Sequence, residues 1–65
     1  MELKKIDNGY LITVEFASKE GEDNYATFFW NGSKLKVESI TDLDYLENLY
    51  EEVSQKLNVM KGRLN

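Results

Sequence analysis

The side chains able to do chemistry in this 65-residue chain are carboxylates, lysines, hydroxyls and phenols, because it contains no His and no Cys. Acid–base catalysis near neutral pH draws most often on imidazole, and a Ser or Thr nucleophile needs a base held against it. The serines fall in turns and in a C-terminal helical stretch, and no Gly-rich phosphate loop accompanies them. Glu47 and Glu51, one helical turn apart, form the obvious carboxylate pair. A shared proton needs a concave pocket, and a two-layer domain of this size has little depth for one. Glu20, Glu22, Asp23 and Asn24 have the composition of a cation loop. They lack its spacing, since a calcium loop alternates its acids, bends at a Gly and closes on a Glu. The reading is a non-enzyme with no catalytic, metal or cofactor-binding residue.

Surfaces are the better candidates. Leu11 and Phe29, with Ile6 and Tyr25, fall by strand parity on one sheet face beside Lys4, Lys34 and Lys36. A Phe on the solvent face of a central strand is explained either by the stem of Lys34 lying over its ring or by a contact patch for protein. Aromatics among lysines also suit single-stranded nucleic acid, although Glu2, Glu15 and Glu38 share the face and no RNP-like motif is present. The net charge of −4 argues against general affinity for polyanions or anionic lipid. The helical carboxylates do not form a continuous phosphate mimic, because Lys56, Lys61 and Arg63 interrupt them.

The elements that carry these residues can be read from turn signals and periodicity. Asn8-Gly9 and Asn31-Gly32 stand between runs of β-branched and aromatic residues and predict two hairpins with two-residue type I′ turns. Those turns would set Asp7 opposite Tyr10, Lys5 opposite Ile12, Leu3 opposite Val14 and Met1 opposite Phe16. The second would set Trp30 opposite Ser33, Phe28 opposite Leu35 and Ala26 opposite Val37. Both registers collect an apolar face of Met1, Leu3, Ile12, Val14, Phe16, Ala26, Phe28, Trp30, Leu35 and Val37. The polar loop Ser18 to Asn24 joins the hairpins, so residues 1–40 read as a four-stranded antiparallel meander. Thr41 with Asp44 resembles a capping box and opens a helix over 41–64, acidic at its start and basic at its end as the macrodipole favours. The fold class is α+β, order ββββα, in one domain of residues 1–65.

The helix carries a seam in steps of three and four: Leu43, Leu46, Tyr50, Val53, Leu57, Met60 and Leu64. A helix from Asp42 to Arg63 spans ~33 Å, whereas strands of six or seven residues span ~20–23 Å. The last turns are therefore expected to overhang the sheet. A chain this short also lacks a disulfide or metal staple, so oligomerisation is expected to supply stability. The candidate interface is Tyr50, Val53, Leu57, Met60 and Leu64 on the helix, with Leu11 and Phe29 on the sheet. Partners are a second copy of the chain, forming a dimer, a larger protein, or both. With no membrane-length apolar run and no export signal, the expected location is the cytoplasm.

The segments Asn8-Gly9-Tyr10-Leu11-Ile12, Phe29-Trp30 and Leu43-Asp44-Tyr45-Leu46-Glu47 are together similar to the MbtH-like proteins that assist adenylation enzymes. That family's second Trp, its Pro-rich segments and its longer spacing before the helix are missing here, and no residue is carried over. The function expected is a small non-catalytic binding or adaptor protein that self-associates. The alternative is a single-stranded nucleic-acid-binding module using the Lys and aromatic face.

Overall fold

The computed structural model describes residues 1–64, with side chains through Lys61. Four strands, β1 (Glu2–Ile6), β2 (Gly9–Ala17), β3 (Asp23–Trp30) and β4 (Leu35–Ile40), form one antiparallel sheet in the order β1-β2-β3-β4. A 3₁₀ turn (Leu43–Tyr45) leads into α1 (Leu46–Leu64). The ββββα meander is the expected architecture, and the apolar parity of the strands holds.

Both hairpin registers differ from expectation by two residues. Ile6 faces Gly9 and Leu3 faces Ile12, so Asp7 and Asn8 make the turn and Gly9 belongs to β2. No residue other than glycine has positive φ among the described residues, which excludes a type I′ turn at Asn8-Gly9. Gly9 is required for another reason. A Cβ built there meets the carbonyl oxygen of Trp30 and the Cα of Asn31, so glycine is what lets β2 approach the end of β3.

In the second hairpin Trp30 faces Leu35, Phe29 faces Lys36 and Phe28 faces Val37. Residues 31–34 form a longer loop in which Asn31 Oδ1 accepts from the amides of Ser33 (2.9 Å) and Lys34 (2.8 Å). Gly32 takes φ +98° within it. Beyond Val37 the register shifts, with Thr27 facing Ser39 and Ala26 facing Ile40. Glu38 is the extra residue of this β-bulge, and the bulge turns Ile40 inward onto the core.

The helix begins later than expected. Thr41 does not cap it: its amide donates to the Tyr25 carbonyl at 3.1 Å, and its hydroxyl accepts from Tyr25 N and donates to Asn24 Oδ1 at 2.8 Å. Thr41 thus prolongs the pairing with β3. The cap is Asp42, whose carboxylate accepts from Asp44 N. Leu43, the expected first seam residue, is 74% exposed in the 3₁₀ turn.

The buried helix face runs through Leu49, Val53 and Leu57, flanked by half-buried Leu46 and Met60. Leu49 replaces Tyr50 at the centre of the stripe. The expected seam, with its step from Leu46 to Tyr50, passes beside it. Tyr50 lies at the edge, where its ring meets Phe28 edge-on at 6.3 Å and its hydroxyl donates to the Leu35 carbonyl at 2.9 Å. These helix residues pack on Ile12, Ala26 and Phe28, the strand part of the core. Of the apolar face expected from the strands, Phe28 is fully buried, and Val14, Trp30 and Leu35 are half-buried.

Candidate functional site

One face of the sheet is covered by α1, and the other is not. The pairings place Lys4, Leu11, Phe29 and Lys36 side by side across all four strands on the uncovered face. The next row is Glu2, Thr13, Thr27 and Ser39, and beyond it Glu15 faces Tyr25. Leu11 and Phe29 are half-buried by their neighbours, and Tyr25 is 47% exposed. The residue opposite Phe29 is Lys36 rather than Lys34, which lies in the loop. The two-residue register shift exchanged the lysines and kept the face.

The result is an apolar pair at the centre of the uncovered face, with an ammonium group at each end of its row, the Glu2 carboxylate in the next row and the Glu15 carboxylate in the one beyond. It can bind by contact and by charge, and a shallow hollow beside Leu11 is bordered by Glu2, Lys4 and Thr13 toward the β1 edge. Of the other sequence candidates, Val53 and Leu57 lie in the protein's own core, while Tyr50 is 42% exposed and holds the β4 edge. Met60 is half-buried against that core. The expectation for the Leu64 side chain falls outside the described residues. The helix is also no longer than the sheet, contrary to the expected overhang: α1 has 19 residues, ~28 Å, and β2 has nine, ~30 Å.

Two features escaped the sequence reading. A shallow trough, lined by Met1, Val59, Met60 and the stems of Glu52, Gln55 and Lys56, runs along the β1 side of α1. Val59 there is 55% exposed, and Lys56 pairs with Glu52 at 3.5 Å. Val59 stands outside the three-and-four seam, which is why periodicity passed over it. A polar cleft lies between the Ser18 to Glu22 turn and the 3₁₀ turn, bordered by Glu20, Glu22, Asp42 and Asp44 with Lys19. The turn is held by bonds from Ser18 N to Glu22 O and from Gly21 N to Ser18 O. Among the described residues no three acidic side chains converge as metal ligands would, and no helix is long and apolar enough to cross a membrane.

Comparison with protein-family models, with curated proteins and with solved structures finds no match. The likeness to MbtH-like proteins therefore gains no support.

Proposed function

We propose that this chain is a small, non-catalytic binding or adaptor protein that acts in the cytoplasm by occupying a surface on a larger protein. Its contact surface is the uncovered face of the sheet. The observation that carries the reading is the Leu11 and Phe29 pair, cross-strand neighbours at the centre of that face, which no element among the described residues covers. Apolar side chains ringed by charge are the usual composition of protein contact sites. A second copy of the chain belongs to the same reading as a partner. The helix contributes less, since Val53 and Leu57 are already spent on the core.

The experiment compares the wild type with a Leu11→Ser/Phe29→Ser variant as bait in lysate of the native host, with circular dichroism to verify that both are folded. A protein retained by the wild type and lost from the folded variant is expected. Equal retention by both would remove the open face from the account.

A single-stranded nucleic acid is the second reading, favoured by the lysines at the two ends of the Leu11 and Phe29 row. Glu2 and Glu15 on the same face and the charge of −4 oppose it. Ionic strength separates the readings, because phosphate contacts weaken steeply between about 50 and 200 mM salt and apolar contacts do not.

A further inference from the structure

The two edges of the sheet are finished differently. On β4 the bulge at Glu38 breaks the regular row of backbone groups, and the Leu35 carbonyl is occupied by the Tyr50 hydroxyl. Both are devices that stop a sheet from adding strands. β1 has neither. Ile6 and Gly9 pair across a two-residue turn and bond to each other, so by alternation the backbone groups of Glu2, Lys4 and Ile6 turn toward β2. Those of Leu3 and Lys5 turn outward, and no other strand of the sheet lies beside them.

We propose that two copies of this chain join through β1, antiparallel about a two-fold axis at Leu3, to make one continuous eight-stranded sheet. Side-chain parity and hydrogen bonding restrict the symmetric registers to two that use most of the strand. Centring on Lys4 sets that lysine against its own copy. Centring on Leu3 sets Glu2 against the partner's Lys4, twice by symmetry, on the open face, with Leu3 against the partner's Leu3 on the helix side. In that register Leu3 exchanges both backbone bonds with its copy, the geometry of a hydrogen-bonded antiparallel pair. Charge therefore selects the Leu3 register, since opposite charges directly across a ladder stabilise and like charges oppose.

The trough explains what else is gained. The two-fold axis, perpendicular to the sheet, puts both helices on the same side. Met1 of each protomer, which lines the trough, then stands on the helix side opposite the partner's Lys5, so the Met1 end of the apolar trough meets the partner's β1. The open faces become coplanar and the dimer presents the Leu11 and Phe29 surface twice. The proposal does not depend on what that surface binds. A five-residue strand pair lies at the small end of specific interfaces, below about 1,200 Å², so association is expected at about micromolar concentrations or higher.

Charge reversal tests it. Glu2 and Lys4 are exposed, and circular dichroism checks that Glu2→Lys, Lys4→Glu and the double exchange all remain folded. By sedimentation velocity from about 10 μM to 1 mM, the wild type should dimerise, each single reversal should weaken the dimer about tenfold or more, and the exchange should restore it. Hydrogen exchange gives a second readout: the Leu3 and Lys5 amides should gain protection with concentration, while the Lys4 amide is protected throughout. A wild type monomeric at 1 mM overturns the proposal, as does a dimer indifferent to the single reversals or an exchange as weak as either one. Leu11→Ser/Phe29→Ser should leave the dimer intact; its dissociation would move the self-contact to the open face and overturn the edge. Retention of a larger partner by a monomeric wild type would leave the functional reading standing without this one.

Discussion

Phe28→Ala is expected to remove about half or more of the protein's stability. Phe28 is fully buried, faces Ile12 on one side and Val37 on the other, and receives the Tyr50 ring from the helix, so the truncation opens a cavity where sheet and helix meet. Removing a core Phe costs about 3–5 kcal/mol. At about 0.05–0.15 kcal/mol per residue, a chain of this size has roughly 3–10 kcal/mol of stability in total. The adjacent Phe29 gives the contrast. It is half-buried on the uncovered face, and Phe29→Ala should cost less than half as much. Urea titration followed by circular dichroism reads both variants, and equal costs would mean that the two faces of β3 have been exchanged.

Gly9→Ala should be the second most damaging change, at about 2–4 kcal/mol. The added methyl would press on the Trp30 carbonyl oxygen and the Asn31 Cα. Both are backbone, so no rotamer change relieves the contact and the β1 to β3 end of the sheet has to shift. Asn8→Ala should stay within about 0.5 kcal/mol, because Asn8 does not adopt positive φ. A type I′ turn would give a different pattern, with Asn8 also sensitive. The ratio of the two costs, measured by thermal melts, therefore reports which residues make the turn.

These two sites show what the sequence could carry. Alternation along β1 to β3 assigned every side chain to its face, because a strand has a period of two and a shift of two residues changes no face. For the same reason alternation could not detect that both registers were off by two. Register depends on turn geometry, and each Asn-Gly pair served another purpose: Gly9 a close backbone approach, Asn31 a side chain holding two amides of a longer loop. The Glu38 bulge has no signal in composition, and with it went the inward turn of Ile40. On the helix, three-and-four spacing fits Tyr50 as readily as Leu49, and packing against Phe28 decided between them. The open-face residues Leu11 and Phe29 were legible from parity alone. The bare β1 edge was not, since it emerges only from a comparison with the way β4 is finished.

If a larger protein meets the uncovered sheet face, site-specific photo-crosslinking should capture it there, with benzoylphenylalanine placed at Phe29 in one protein and at Tyr50 in another, each irradiated in lysate of the native host. Tyr50 is the comparison because it is 42% exposed and lies on the helix side. A discrete adduct with a larger protein from position 29, and none from position 50, is expected. An adduct from position 50 with position 29 silent would contradict it.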